Sequence, residues 1–133
     1  MMKTKQKNVL VCGGSGFIGT NLVEKFLKKK NLKIFNIDKI SYCSVPEKFK
    51  KYKDNNNYFF YKLNINQSEK IKKIILNNNI ETIINLANES HVDKSIESPE
   101  KFILKNFKDN LTLINLLAKL QKKKKFFLYT YFN

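Results

Sequence analysis

The chain has four glycines, and all of them fall within one stretch of seven residues. They are Gly13, Gly14, Gly16 and Gly19. Their spacing satisfies both G-x-G-x-x-G and the offset G-x-x-G-x-x-G. In these patterns the first glycine allows a sharp turn after a strand, the middle one lets the backbone approach a pyrophosphate, and the last lets the helix pack closely on the strand. The N–H groups of that helix point at an anion. The cluster therefore predicts a nucleotide-binding turn, and a purely structural loop is the alternative.

An acidic residue follows at the spacing that a ribose-binding carboxylate requires. Asp38 closes the apolar stretch Leu32 to Ile37 and lies 19 positions after Gly19, close to the offset of roughly 20 in dinucleotide-binding folds. A carboxylate there accepts hydrogen bonds from ribose hydroxyls and repels a 2′-phosphate, so it favours NAD over NADP, although neighbouring Lys39 weakens that inference. A solvated aspartate at a strand end is the alternative.

A polar loop follows the fourth apolar segment and runs from Leu86 to Ser95. Doubly wound sheets bind ligands outside the carboxyl ends of their strands, where this loop falls. His91 with Asp93 or Glu89 could form a proton relay, and a surface histidine with a local hydrogen bond is the alternative. A lone histidine without a second histidine or a cysteine nearby predicts no metal site.

The predicted strands and helices alternate along the chain and place these residues at strand ends. This alternation predicts an α/β fold with a Rossmann-type doubly wound parallel sheet of about five strands. The predicted strands are Asn8 to Cys12, Leu32 to Asp38, Tyr58 to Leu63, Thr82 to Leu86 and Lys125 to Thr130. The predicted helices are Phe17 to Lys30, Gln67 to Asn78 and Pro99 to Leu120. We expect residues 1–133 to form one domain, with a surface connection from Ile40 to Asp54 that holds at most a short helix.

Two apolar patterns mark the last helix and the last strand. Apolar residues at three- and four-residue steps predict one buried face of the helix; they are Ile103, Phe107, Leu111, Ile114, Leu117 and Ala118. A sheet that ends at its fifth strand would expose Phe126 to Tyr129, Tyr131 and Phe132 along an edge. Such an edge predicts aggregation or dependence on another chain.

The net charge of +15 first suggests a nucleic-acid ligand. All 26 basic residues are lysine, however, whereas guanine readout and phosphate forks prefer arginine. The charge is better explained by an AT-rich coding sequence, so we expect no nucleic-acid partner. A basic, non-enzymatic binding module that keeps a Rossmann turn is the alternative.

Two cysteines are too few for a disulfide framework or a metal site, which predicts a reducing compartment. We expect Cys12 to pack as a small apolar residue. No apolar stretch approaches the roughly 20 residues of a transmembrane helix, and the start of the chain lacks the apolar segment of a signal peptide. These features predict a soluble, cytoplasmic protein with no membrane partner.

Three motifs together resemble the amino-terminal half of the dTDP-glucose 4,6-dehydratases, which belong to the extended short-chain dehydrogenase/reductase superfamily. The motifs are Gly13-Gly14-Ser15-Gly16-Phe17-Ile18-Gly19, Asp38-Lys39-Ile40-Ser41-Tyr42 and the stretch from Leu86 to Ser95. The run Glu89 to Ser95 is the most specific of the three. The glycine motif also fits other enzymes, so the cofactor half of another sugar-nucleotide enzyme, such as an epimerase, is the alternative.

The resemblance implies an NAD-dependent lyase of nucleotide-sugar metabolism. In that family NAD takes a hydride from C4 of the glucose ring of dTDP-glucose, water leaves across C5 and C6, and the hydride returns to C6. The implied cofactor-binding residues are Gly13, Gly16, Phe17, Ile18 and Gly19 at the pyrophosphate, Asp38, Lys39, Ile40 and Ser41 at the adenosine ribose, Asn64 and Ile65 at the adenine, and Leu86, Ala87, Asn88, Glu89, Ser90 and Lys105 toward the nicotinamide. Ser90 and Thr130 are the implied contacts of the sugar.

Several positions depart from the family pattern. Asn64 replaces the usual aspartate, and we expect its carbonyl to keep a weakened contact with the adenine amino group. Asn88 replaces an alanine, and Lys105 replaces a threonine. Tyr131 and Phe132 stand where the resemblance implies the catalytic Asp and Glu, and the catalytic Tyr and Lys would lie beyond the last residue. We therefore expect residues 1–133 to be an incomplete NAD-binding Rossmann domain, truncated before the catalytic residues and the sugar-nucleotide domain, which binds NAD and is inactive alone. The homodimer usual in the family stays an open question here.

Overall fold

The computed structural model describes residues 5–89 and 96–131. Within them five parallel strands form one sheet: β1 Lys7–Cys12, β2 Leu32–Asp38, β3 Tyr58–Lys62, β4 Thr82–Asn85 and β5 Phe127–Thr130. The longer helices are α1 Phe17–Leu27, α2 Ser68–Asn77 and α3 Pro99–Gln121, and a 3-10 helix spans Pro46–Tyr52 in the predicted surface connection. The predicted α/β fold of the Rossmann type is confirmed.

The order of the strands creates a crevice at one end of the sheet. The order is β3-β2-β1-β4-β5, and every neighbouring pair is parallel. The chain builds outward from β1 to β2 and β3, then returns to the other side of β1 for β4 and β5. The winding therefore reverses between β1 and β4, and ligands bind such sheets outside the carboxyl ends of these strands.

Successive residues of β1 pack on opposite faces of the sheet, as the two-residue period of a strand requires. Val9 and Val11 belong to a core that α1 and the 3-10 helix cover. Leu10 and Cys12 belong to a larger core that α2 and α3 cover. Burial, with a smaller contribution from Asp38, raises the pKa of the Cys12 thiol to about 12. The expected packing of Cys12 as an apolar residue is confirmed.

The predicted buried face of α3 is wrong for five of its six residues. Ile103, Phe107, Leu111 and Ile114 are among the exposed large apolar side chains, and Ala118 is also exposed. The face that meets the sheet instead carries Asn110, Leu113, Leu116, Leu117 and Leu120. The helix is apolar on two sides, and the buried side contains an asparagine that periodicity alone assigns to the solvent.

β5 pairs with β4 at the edge of the described sheet, and its side chains are exposed as predicted. Phe127 and Tyr129 are 63% and 60% exposed, and Tyr131 beyond them is also exposed. Phe126 is a correction, because it is half-buried and packs against the core. Phe132 lies outside the described residues.

Candidate functional site

The turn between β1 and α1 is shaped by the packing of the chain itself at two of its glycines. Gly13 has a φ of 76°, which glycine adopts most readily, and an added Cβ would lie 2.8 Å from backbone atoms of Leu86 and Ala87. A Cβ on Gly19 would lie 2.3 Å from the carbonyl oxygen of Gly13. Gly13 is therefore required by the turn, and Gly19 by the close approach of α1.

Gly16 differs from these two residues, because the packing of the described chain does not require a glycine there. Its φ of −76° suits any residue, and the nearest atom to an added Cβ is the Gly13 carbonyl oxygen at 3.5 Å, an ordinary van der Waals distance. Gly16 also lines a cavity. The missing side chain thus leaves backbone open to a ligand, as the middle glycine of a dinucleotide turn does.

α1 begins directly after Gly16 with a free N-terminus. Among the described residues no side chain caps the helix, and its first turn has no acidic residue. Phe17 and Ile18 are 83% and 50% exposed, so the start of the helix faces solvent. The first N–H groups and the positive end of the helix dipole are therefore available to an anion.

Asp38 ends β2 and ties the following loop to the glycine turn. Its Oδ2 accepts a hydrogen bond from Ser15 N at 3.0 Å, and its Oδ1 accepts from Ile40 N at 2.8 Å and from the Ser44 hydroxyl at 3.3 Å. Ile40 has a φ of 58°, a left-handed conformation that a β-branched residue rarely adopts. Asp38 is 7% exposed. The alternative of a solvated strand-end aspartate is therefore wrong.

The residues after β4 form the opposite wall of the cavity. Ala87 N donates to Asn85 Oδ1 at 3.2 Å, which bends the chain away from the strand. Asn106 of α3 then holds the backbone of Glu89 on both sides, because Glu89 N donates to Asn106 Oδ1 at 3.0 Å and Asn106 Nδ2 donates to the Glu89 carbonyl at 2.9 Å. The position of Glu89 is fixed by this pair of bonds.

Two lysines meet the carboxylate of Glu89. Lys39 Nζ lies 2.6 Å from Glu89 Oε1, and Lys105 donates a hydrogen bond to the same oxygen. The hydrogen bonds from Lys105 and then from Lys39 lower the pKa of Glu89 to about 2, and the bond to Glu89 raises the pKa of Lys105. Glu89 is thus ionised at neutral pH and connects α3 with the loop after β2.

A network of asparagines fixes the end of β4 relative to α3 and β5. Asn110 Nδ2 donates to Asn88 Oδ1 at 2.6 Å, and Asn85 Nδ2 donates to Asn110 Oδ1 and to the Thr130 hydroxyl. Asn88 also donates to the Tyr131 carbonyl. Buried amides bonded in this way lock neighbouring segments in one arrangement.

The cavity brings together most of the predicted cofactor residues. Those that line it are Gly13, Gly16, Asp38, Lys39, Ser41, Asn64, Ile65, Leu86, Ala87, Asn88 and Glu89. The predicted residues outside its lining are Phe17, Ile18, Gly19, Ile40 and Lys105, as well as Thr130 at the exposed end of β5. Ser90, predicted for both cofactor and sugar, and the considered relay residues His91 and Asp93 lie outside the described residues.

The cavity is also lined by residues that were not predicted to contact the cofactor. They are Ile37, Tyr42, Cys43, Ser44, Leu63, Asn106 and Asp109. Asn106 and Asn110 carried a usable signal, because two asparagines four positions apart on a largely apolar helix lie on one face and indicate a shared polar contact.

Residues 5–89 and 96–131 lack two kinds of feature. No helix there is long and apolar enough to cross a membrane. No group of three or more His, Cys, Asp or Glu side chains there could hold a metal ion.

Comparison with known proteins shows the family of the chain. A family model described as GDP-mannose 4,6 dehydratase matches residues 10–130. The chain belongs to this family. Among individual relatives, it is 33% identical over 111 residues to a dTDP-glucose 4,6-dehydratase of Salmonella typhimurium, covering 84% of this chain and 31% of the relative. It is 39% identical over 101 residues to a dTDP-D-glucose 4,6-dehydratase of Dictyostelium discoideum, covering 75% of this chain and 23% of the relative.

Solved structures of other proteins share the fold of this chain. The dTDP-glucose 4,6-dehydratase of Bacillus anthracis, solved in complex with NAD, matches with a TM-score of 0.69 and 30% identity, covering 88% of this chain and 34% of that one. The UDP-glucose 4-epimerase of Thermotoga maritima, solved with UDP-glucose, matches with a TM-score of 0.70 and 28% identity, covering 84% and 34%. The chain therefore spans less than two fifths of the length of each of these relatives and solved structures. The resemblance to the dehydratases is confirmed.

Proposed function

We propose that the chain binds NAD in this cavity and is the cofactor-binding part of a sugar-nucleotide 4,6-dehydratase. The observation that carries the proposal is the open space at Gly16, in front of the uncapped N-terminus of α1 and on the cavity that Asp38 also lines. A dinucleotide needs these features, a close and positive approach for its pyrophosphate and a carboxylate for its ribose. A related dehydratase was solved with NAD, which supports the choice of ligand.

The lining residues fit the parts of a dinucleotide in order along the cavity. We assign the pyrophosphate to the turn Gly13 to Gly19, the adenosine ribose to Asp38 to Ser41, and the nicotinamide side to Leu86 to Glu89. Asn64 and Ile65 would flank the adenine. The side-chain oxygen Oδ1 of Asn64 accepts a hydrogen bond from the backbone N–H of Asn66 at 3.2 Å. Its second lone pair would accept from the adenine amino group.

The role of this chain is to bind and orient the cofactor. Bound NAD supplies a hydride acceptor that can return the hydride to the same substrate. Asp38 holds the ribose side through a buried carboxylate, and the bonds from Asn106 and Asn110 keep the wall after β4 in place. A cofactor site acts mainly by using fixed polar groups to orient the cofactor.

We further propose that the sugar nucleotide of the complete site is dTDP-glucose and that this chain alone does not dehydrate it. Tyr131 follows β5 at the position where the resemblance implies an acid, and a tyrosine does not supply a carboxylate. Thr130 and Ser90 would contact the sugar. Formation of a 4-keto-6-deoxy product by the purified chain with NAD and dTDP-glucose would contradict this part of the proposal.

An epimerase site is the second candidate, and one observation favours it. The Thermotoga maritima UDP-glucose 4-epimerase matches this chain about as well in structure as the Bacillus anthracis dehydratase does. The two candidates share the NAD site and differ in the sugar nucleotide. Protection of the NAD-loaded chain from unfolding by dTDP-glucose and not by UDP-glucose would support the dehydratase.

The proposed NAD site is tested by adding one methyl group at Gly16. Because the added Cβ of Gly16→Ala meets only ordinary contacts, the variant should fold and lose close approach to the pyrophosphate. NAD at 100 times its Kd should stabilise the unchanged chain by about 2.7 kcal/mol, seen as a rise in Tm. We expect Gly16→Ala to keep the ligand-free Tm within a few degrees and to lose most of that rise.

The control is Asn21→Ala, on the exposed side of the same helix. It should keep the NAD-dependent rise in Tm. An unchanged chain that folds but shows no rise would contradict NAD binding, and an equal rise in Gly16→Ala would contradict the assigned position of the pyrophosphate.

A further inference from the structure

Lys39 is next to Asp38 in the sequence, but its ammonium pairs with the carboxylate of Glu89. Lys39 directly follows Asp38, and both residues line the cavity. Its Nζ lies 2.6 Å from Glu89 Oε1, on a residue 50 positions later in the chain. The ion pair therefore bridges the loops after β2 and β4, which lie on either side of β1.

Asp38 is left with neutral partners by this arrangement. Its recorded hydrogen-bond donors are the backbone N–H groups of Ser15 and Ile40 and the hydroxyl of Ser44. The lysine next to it is paired with a different carboxylate. The ribose side of the cavity thus keeps the negative charge of Asp38, and the nearby positive charge is directed to the opposite wall.

Glu89 is a fixed anchor for that lysine. Asn106 bonds both the N–H and the carbonyl of Glu89, so the residue is held to α3 through its backbone. Lys105, also on α3, bonds the same carboxylate oxygen as Lys39. The carboxylate is ionised at neutral pH, since its pKa is lowered to about 2.

We propose that Glu89 is a positioning residue that sets the choice between NAD and NADP by holding Lys39 away from the ribose that Asp38 binds. This inference rests on the proposed function. The 2′-phosphate of NADP would meet the carboxylate of Asp38, and the ammonium of Lys39 would not compensate it, because that ammonium is held by Glu89. Removing the charge of Glu89 would free that ammonium to pair with a phosphate, which is a strong acceptor for charge-assisted bonds.

The test is calorimetric titration of the full chain with NAD and with NADP. The unchanged chain should bind NAD more tightly by about ten-fold or more. In Glu89→Gln the ratio of the NADP affinity to the NAD affinity should rise by about three- to ten-fold, the range for one partly exposed phosphate–ammonium pair. The double variant Lys39→Met/Glu89→Gln should lose the gain, which assigns it to Lys39 rather than to Lys105.

Glu24→Gln is the matched control, because it removes the same charge and breaks an ion pair with Lys51 that does not line the cavity. It should leave the ratio of the two affinities unchanged. A rise in NADP affinity equal to that of Glu89→Gln would overturn the inference, because net charge alone would then explain the effect.

Lys39→Gln tests the same idea in a variant that leaves Glu89 in place. If Glu89 already holds Lys39, this change should alter NADP affinity by less than about two-fold. A large loss of NADP affinity would overturn the inference, as would Glu89→Gln with NAD binding intact and an unchanged ratio. Binding of neither dinucleotide by the unchanged, folded chain would instead overturn the proposed function, and the inference with it.

Discussion

The glycine turn after β1 and the β5 edge belong to the same sheet and differ in how tightly their residues are packed and hydrogen-bonded. At the turn, Cβ atoms on Gly13 or Gly19 would collide with backbone, and the carboxylate of Asp38 accepts three hydrogen bonds. At β5, Phe127 and Tyr129 remain exposed although the strand is paired with β4. The outward face of α3 is likewise apolar and exposed.

The two regions therefore differ in how strongly the fold constrains their residues. The turn is determined by contacts that cannot change without moving the backbone, which is the geometry a ligand site needs before the ligand arrives. The apolar side chains of β5 and of the outer face of α3 contribute little burial to the described fold, so their identity is weakly constrained by its stability. Substitutions should therefore destabilise the fold strongly at the turn and only weakly at these exposed apolar side chains.

Gly19→Ala should strongly destabilise the fold. The added Cβ would lie 2.3 Å from the Gly13 carbonyl oxygen and 2.6 Å from Gly14 Cα, so α1 must move away from the turn. We expect a loss of about 3 kcal/mol or more in the free energy of unfolding, measured by urea denaturation. A loss close to that of Gly16→Ala would show that the turn is not as tightly determined as its geometry indicates.

Leu113→Glu and Phe107→Glu compare the two faces of α3 directly. Leu113 is 1% exposed and Phe107 is 64% exposed, although sequence periodicity assigned Phe107 to the core. Burial of an unpaired charge should unfold Leu113→Glu. Phe107→Glu should change the free energy of unfolding by no more than about 0.5 kcal/mol and reduce aggregation in light scattering. Equal destabilisation by the two substitutions would show that Phe107 is buried, as sequence periodicity predicted.

Asn110→Ala should have an intermediate effect on the wall after β4. Asn110 is 3% exposed and bonds the side chains of Asn85 and Asn88, so its removal takes one hydrogen bond from the buried Asn85 amide and one from the half-buried Asn88 amide. We expect a loss of about 1–3 kcal/mol in the free energy of unfolding. Exposed Asn115 on the same helix is the control, and Asn115→Ala should be nearly neutral.

The sequence was sufficient to predict the fold and most of the residues that line the cavity. Apolar segments ending at Cys12 and Asp38, with clustered glycines between them, specify a strand, a turn and a helix whose geometry is local. The buried face of α3 could not be predicted, because both of its sides are apolar and Asn110 takes part in the buried one. Contact between Lys39 and Glu89 depends on side-chain direction across three strands, which a residue pattern does not contain.

The acid response of the Glu89 ion pairs should be the smallest effect. The folded pKa of Glu89 is about 2, lowered from a usual value of 4.5 by Lys105 and then Lys39. Its contribution to stability is therefore present above pH 4.5 and lost as the pH falls toward 2. The difference in unfolding free energy between the unchanged chain and Glu89→Gln should shrink over that interval. A difference that stays constant would show that the carboxylate is not paired.

Amide chemical shifts during a titration with NAD test the central claim, that the turn is a preformed dinucleotide site, most directly. The account predicts saturable shifts concentrated at Gly13 to Gly19 and at Asp38 to Ser41, with little change at Phe127 to Tyr129. A folded chain whose amides do not shift, or whose shifts concentrate at β5 and leave the glycine turn unchanged, would contradict it.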